Sequence, residues 1–373
     1  MLSADMDNTD KVVTMIAECR DMGLEILPPD INQCQYEFTP VNDKTILYGL
    51  GAIKGLGQSA IESILQTRES GGVFEDLFGF CTRTDLKKIN RRTLDSLIRA
   101  GALDALGPHR ASSQKTLDLA LKIAGQHCKN REAGISDLFA EVQQADEAHE
   151  FVEVSEWSDE ERLRGEKETL GLYLTGHPID RYEKNLRRMT DACLADLRPN
   201  GNGSVVVAGL VAGIRTMQTK RGDRMAFVTL DDKTGRIELA VFADLFQQYR
   251  DLLVKDTLLV IRGQVSVDEY TEGFKMRAEE IYDIDQAQSN FAKRLVIDVS
   301  ADQMENGFIG ELQRILKPVA QGRCRVNVHY QSPHAEALLT FDDSWRIHVT
   351  TSVIEHLAQL AGPDHVDITY HRV

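Results

Sequence analysis

The 373-residue chain carries 58 acidic against 43 basic side chains, a formal charge of −15, with 42% apolar and 27% charged residues. Those proportions suit two to four folded domains and exclude a bilayer-embedded chain, since apolar stretches such as residues 205–214 are far too short to span a membrane. Six scattered cysteines without a C-x-x-C pair exclude a zinc finger or ribbon; with no visible signal peptide they point to reduced thiols in a cytoplasmic protein.

Taken in chain order, the pattern predicts a helix near residues 10–22, then the extended segment Leu27-Pro28-Pro29-Asp30. Asp5 and Asp7 have the spacing of a carboxylate pair, but their place before a helix reads as capping around Asn8 or Thr9. A short apolar run, Thr45 to Leu50, leads into Ile53-Lys54-Gly55-Leu56-Gly57. A helix follows at once, with Ala60, Ile61, Ile64 and Leu65 on one face and a Ser59/Glu62 capping-box pattern at its start. A glycine hairpin opening a helix leaves backbone N–H groups unpaired at the positive end of the helix dipole, where they hold an anion. Gly55 and Gly57 let the main chain approach that anion without a Cβ in the way.

Charge around this hairpin is polarised. Residues 83–131 hold eleven Lys or Arg against four acids, and residues 132–170 hold three against thirteen. Lys87, Lys88, Arg91, Arg92, Arg99 and Arg110 surround a second helix–turn–helix pattern, Leu94 to Gly107, which turns at Gly101. Two such units side by side suit the phosphates of a duplex without reading its bases. The plainer alternative is a helix turn flanked by solvated lysines, which the second unit and the charge step disfavour.

The acidic stretch after residue 132 has little apolar periodicity and reads as a linker. Helical pattern resumes at Ser158, which pairs with Glu161 as a cap, and breaks at Gly176-His177-Pro178. From Ser204 the period changes to two. Strands at 205–214, 225–230, 237–241, 258–265 and 274–281, with a helix at 243–253 after the third, give the order of an OB-fold barrel, whose usual ligand is a single nucleic-acid strand. Arg215, Lys220, Arg221 and Arg224 cluster at the loop between the first two strands. Phe227, Phe242, Tyr270, Phe274 and Lys275 offer stacking surfaces, unless the aromatics pack the barrel. After residue 288 a small α/β domain is expected, with strands at 295–299, 324–330, 337–341, 345–349 and 366–370 and helices at 308–316 and 353–360. It shows no glycine-rich loop and reads as a docking surface. The fold class is thus multidomain α+β.

These residues carry a resemblance. Asp5 to Thr9, Ile26 to Asn32, Tyr48 to Gly57, Asn90-Arg91-Arg92, Leu103 to Arg110, Glu168 to Pro178 and Thr219 to Gly222 together resemble the C-terminal third of the bacterial DNA polymerase III α subunits. The resemblance implies the end of the fingers at 1–40, a tandem helix–hairpin–helix duplex-binding domain at 41–131, and a linker at 132–157. It further implies a helical connector at 158–203, an OB fold at 204–287 and a domain docking the clamp-loader τ subunit at 288–373. Duplex DNA is assigned to Lys54, Gly55, Gly57, Lys87, Lys88, Arg91, Arg92, Gly101 and Arg110. Single strands are assigned to Arg215, Lys220, Arg221, Arg224 and Lys275. Ile135-Ser136-Asp137-Leu138-Phe139 matches the family's peptide for the β sliding clamp, with Leu138 and Phe139 as apolar anchors; Ile135 stands where the family has Gln.

The family's catalytic palm, with carboxylates holding two Mg²⁺ ions, would lie before Met1. The chain therefore reads as a truncated piece that binds but does not polymerise, with no catalytic residue, metal ligand or cofactor of its own and no membrane partner. A repair ligase or nuclease using the same grip would need a nucleophilic lysine in an adenylation motif or an acidic metal cluster. Neither is visible in the sequence.

Overall fold

The computed structural model describes residues 2–132, 150–199, 201, 203–219, 222–267, 273–304 and 307–371. They form two compact units, Met1–Pro178 and Ile179–Val373. The division falls inside the stretch expected as a single connector: residues 158–178 go with the first unit and residues 179–203 with the second.

The first unit contains helices α1 (Thr9–Asp21), α2 (Gln58–Gly71), α3 (Leu77–Arg83), α4 (Arg91–Ala100), α5 (Arg110–Glu132) and α6 (Asp159–Leu170). A small sheet of β1 (Glu25–Leu27), β2 (Thr39–Asn42) and β3 (Thr45–Leu47) is ordered β1-β3-β2. Side chains from every part enter one apolar core, among them Ile16, Ile31, Tyr48, Ile61, Ile64, Leu77, Phe80, Leu94, Leu97, Leu117 and Leu170. No boundary at residue 40 separates this core.

Caps decide where the helices start. The Asn8 carboxamide accepts the Lys11 amide at 3.2 Å, while Asp5 binds the Lys11 ammonium at 2.7 Å; neither acid at 5 or 7 is the cap. Asn90 and Ser158 cap α4 and α6 through the amides of Thr93 and Glu161. The expected capping box at Ser59 does not form. Gly57 is the N-cap of α2, with no side-chain cap, and the Gln58 amide group spends its reach on Glu62 at 2.8 Å.

The second unit opens with α7 (Glu183–Met189) and contains a closed five-strand barrel, β4-β5-β6-β8-β7. Its strands are β4 (Ser204–Gln218), β5 (Arg224–Asp231), β6 (Arg236–Val241), β7 (Leu258–Val267) and β8 (Phe274–Asp283), with α8 (Ala243–Tyr249) after β6. Alternation sends Ala226, Val228, Leu230, Ile237, Leu239 and Met276 inward, as half-buried strands require. The turn at Asp231-Asp232 is held by the Asp232 carboxylate, which accepts the amides of Thr234, Gly235 and Leu194.

After the barrel come α9 (Ile284–Phe291), β9 (Ala292–Ser300), the short α10 (Ala301–Met304), α11 (Phe308–Leu316), β10 (Ala320–Gln331), β11 (Glu336–Thr340), α12 (Thr351–Ala361) and β12 (Val366–Tyr370). The sheet is ordered β11-β10-β9-β12, with β9 and β10 parallel. The expected strand at 345–349 is absent. A 3₁₀ turn at Asp343–Trp345, capped by Asp342, is followed only by isolated bridges from Ile347 to Ala320 and Cys324. There the chain crosses Gly322 so closely that a Cβ at 322 would stand 1.9 Å from the Ile347 carbonyl carbon. No helix among the described residues is long and apolar enough to cross a membrane.

Candidate nucleic-acid interface

In the first hairpin, Gly55 has φ +89°, a left-handed conformation that costs an L side chain about 1–2 kcal/mol. The Lys54 amide donates to the Thr169 carbonyl of α6 at 2.9 Å, and the Leu56 amide to Ile53. Ala60 and Ile61 donate to the Gly57 carbonyl. Among the described residues nothing accepts from the amides of Gly55, Gly57, Gln58 and Ser59, and all four residues are exposed. Solvent-facing amides at the start of a four-turn helix form a ready anion site.

The hairpin tip leans on α4. A Cβ on Gly55 would lie 2.9 Å from the Ser96 hydroxyl. Arg92, one turn before Ser96, shares that face of α4 by helical period. Lys54, Lys88 and Arg92 are exposed, and no carboxylate among the described residues pairs with them. The adjacent Arg91 points elsewhere. It forms a two-pronged bond to Asp118 of α5, at 2.8 and 3.3 Å, which raises its pKa and lowers that of Asp118. Asp95, one turn on, likewise faces α5 through Gln114 at 2.7 Å. Of two consecutive arginines, one is thus engaged by α5 and the other is exposed. Lys87 is exposed, its amide held by Asp85 at 2.9 Å.

The second hairpin is a correction. Arg110 is not a surface cation: its side chain is 4% exposed. It binds Asp104 at 2.8 Å and Glu166 at 3.1 Å. Burial pulls the guanidinium pKa down, but the bonds and charges of Asp104 and Glu166 outweigh it and leave the pKa raised. Gly101 does not present a free amide either. It is the left-handed C-cap of α4, donating to Ile98 at 3.0 Å, and a Cβ there would stand 2.3 Å from the Arg110 Nη2. The start of α5 carries its own anion, because the Glu156 carboxylate accepts the Ala111 amide at 3.3 Å. The segment carrying Glu156 is strapped along α5: Ser112 Oγ donates to the Val152 carbonyl at 2.7 Å, and the Val152 amide donates to Thr116 Oγ1 at 2.9 Å. Phe151 stacks edge-on to Phe78. The assigned exposed cations without carboxylate partners among the described residues therefore gather at the first hairpin and α4.

On the barrel, strand register aligns Arg215, Phe227, Ala240 and Arg277 across β4, β5, β6 and β8. All lie on the outer face, since Ala226, Val228, Leu239, Met276 and Ala278 are the inward residues. Arg215 sits 5.0 Å over the Phe227 ring, Arg277 5.4 Å over Phe242, and Arg198 5.6 Å over Phe274. Phe242 is 48% exposed. Phe227 and Phe242 therefore lie on the outside of the barrel, whereas Phe274 packs partly against its core. Lys275 is one rung from Arg277, opposite Glu238, and Arg224 opens β5 at the rim. Arg277 was missed in the sequence although it alternates with Lys275 about the inward Met276. Lys220, Arg221, Tyr270 and the whole 135–139 peptide lie outside the described residues. Among those described, no group of three or more His, Cys, Asp or Glu converges as metal ligands.

A helix–hairpin–helix unit and an OB barrel faced with arginine–aromatic pairs define a nucleic-acid-binding protein. The families that match agree: the helix-hairpin-helix motif over residues 23–113, the OB-fold nucleic acid binding domain over 205–284, and the DNA polymerase III subunit alpha C-terminal domain over 311–362. The chain is 44% identical over its full length to the DNA polymerase III subunit alpha of Vibrio cholerae. It is 43% identical over 99% of its length to that of Escherichia coli and 42% identical over 99% to that of Pseudomonas aeruginosa. The chain belongs to the DNA polymerase III α subunit family and corresponds to its C-terminal region. It spans about a third of these relatives, 32% of the first two and 33% of the third.

Proposed function

We propose that this segment holds the product duplex of a replicative polymerase through the sugar-phosphate backbone. The observation that carries the reading is the row of amides at Gly55, Gly57, Gln58 and Ser59, which have no acceptor among the described residues, flanked by the cations Lys54 and Arg92, which have no carboxylate partner among them. Main-chain amides and point cations bind phosphates without distinguishing bases. Affinity should therefore be independent of sequence and steeply dependent on salt. Comparing primed duplex, single-stranded DNA and transfer RNA in filter binding tests this directly. Equal retention of transfer RNA and duplex would reject it.

The barrel's outer face suits a single strand, since bases stack on exposed rings while arginines attend the backbone. Phe242 with Arg277 and Phe227 with Arg215 are the platforms, Arg224 and Lys275 lie along the same path, and Lys220 and Arg221, outside the described residues, are assigned to the same ligand from the sequence. The peptide Ile135–Phe139 is assigned to the β sliding clamp, and residues 288–373 to the clamp-loader τ subunit. Pull-down on the clamp with and without residues 135–139 is the deciding measurement for that peptide, and retained capture by the deletion would remove the assignment.

A further inference from the structure

Outside the matched helix–hairpin–helix motif at 23–113 lies α6, at Asp159–Leu170, which touches both the first hairpin and α4. Its Thr169 carbonyl takes the Lys54 amide of the first hairpin at 2.9 Å. Its Gly165 lies flat on the end of α4: a Cβ there would stand 3.3 Å from the Arg99 carbonyl oxygen. Its Glu166, fully buried, meets Arg110, and the same Nη1 that binds Glu166 also reaches the Arg99 carbonyl at 3.4 Å. The other carboxylate bonds of Glu166 fasten the chain beyond the helix, through the Leu174 amide at 2.9 Å, the Thr175 amide at 3.0 Å and the Thr175 hydroxyl at 2.6 Å. One helix therefore holds hairpin one by a main-chain bond, the start of α5 by the buried Arg110–Glu166 pair, and the C-terminal end of α4 by the more exposed Arg99–Glu168 pair.

We propose that α6 is the ruler of the duplex grip and that Glu166 is a positioning residue for it, setting the spacing between the first hairpin and the Arg92 face of α4 to that of neighbouring phosphates. The proposal rests on the duplex reading above. A buried carboxylate with four partners fits the task, because a two-residue slip of α6 would leave charge unpaired in the core, which is strongly disfavoured. Loosening this node lets α6, with the Lys54 main chain, shift against the α4–α5 corner that carries Arg92, leaving the exposed Arg99–Glu168 pair as the remaining charged link among the described residues, and one of the two phosphate contacts is lost.

The test uses the full chain with Glu166→Gln, measuring duplex affinity from 50 to 300 mM salt beside single-strand affinity. Duplex affinity should fall about tenfold, and the slope of log affinity against log salt should become shallower by about one, the value of one lost phosphate contact. Single-strand affinity should stay unchanged. The slope is the informative readout, since partial unfolding lowers the active fraction without changing the slope of the molecules that remain folded. Affinity lost at an unchanged slope, or no loss at all, overturns the proposal. Should Glu166→Gln not fold, the pair Arg110→Met with Glu166→Met replaces the buried charges by apolar volume; a folded double variant with the wild-type slope overturns the proposal equally. Failure of the duplex reading is seen separately, as wild-type affinity indifferent to Lys54→Ala and Arg92→Ala.

Discussion

Arg110 and Glu166, far apart in the sequence, meet at 3.1 Å with side chains 4% and 0% exposed. Removing one partner of such a pair strands the other charge. Arg110→Ala should destabilise the first unit by about 3–5 kcal/mol, measured by denaturant unfolding followed by circular dichroism. Arg110→Met with Glu166→Met should recover most of that loss. A near-neutral single substitution would mean water reaches the site.

Arg91 and Arg92 should behave unequally in duplex binding. Arg92 has no carboxylate partner among the described residues, whereas Arg91 is engaged by Asp118 on the far side of α4. Arg92→Ala should weaken binding to any duplex sequence and reduce the salt slope by about one. Arg91→Ala should do distinctly less. Equal losses in fluorescence anisotropy titrations would contradict the two-sided reading of α4.

Neutralising the strap should strengthen duplex binding. Glu156 places a negative charge at the start of α5, worth about 0.3–1 kcal/mol to that helix but repelling phosphates nearby. Glu156→Gln should raise duplex affinity severalfold at low salt and lower the melting temperature slightly. An affinity unaffected by the substitution would place the duplex away from the second hairpin altogether.

On the barrel, Phe242→Ala should cost about 1–3 kcal/mol of single-strand affinity, the range for one base–aromatic stack, and leave duplex affinity alone. Phe242 is half exposed beneath Arg277, so folding should tolerate the change. A lost melting transition would show instead that the ring packs structurally.

His329 links three strands of the last sheet, bonding Glu336 and Asp298 at 2.8 Å each. Glu336 first and Asp298 second raise its pKa above the usual 6.5. A group whose folded pKa is raised stabilises most below its unfolded pKa, near about 6.5, and loses that contribution as pH climbs through the folded value. Melting curves from pH 6 to 8.5 should therefore show wild type and His329→Gln converging as pH rises. A constant gap would mean that the imidazolium bonds contribute nothing.

The sequence by itself determined the kinds of element and much of their order. The glycine hairpin, the five-strand barrel with its helix after the third strand, and the α/β unit follow from local periodicity, caps and turn residues, each a matter of a few neighbouring side chains. Those signals cannot say where a charge points. Arg110 and Arg92 are indistinguishable in a run of basic residues, yet one is sealed between Asp104 and Glu166 while the other faces solvent. Their fates are decided by α6 and by the strap at residues 150–157, segments remote in sequence that only the packed core brings to the hairpins. Strand register likewise set Arg277 over Phe242, because alternation gives a face but only closure of the barrel gives a neighbour. Local chemistry chose the parts; the free energy of burying or exposing each cation in the assembled unit chose which of them can meet a phosphate.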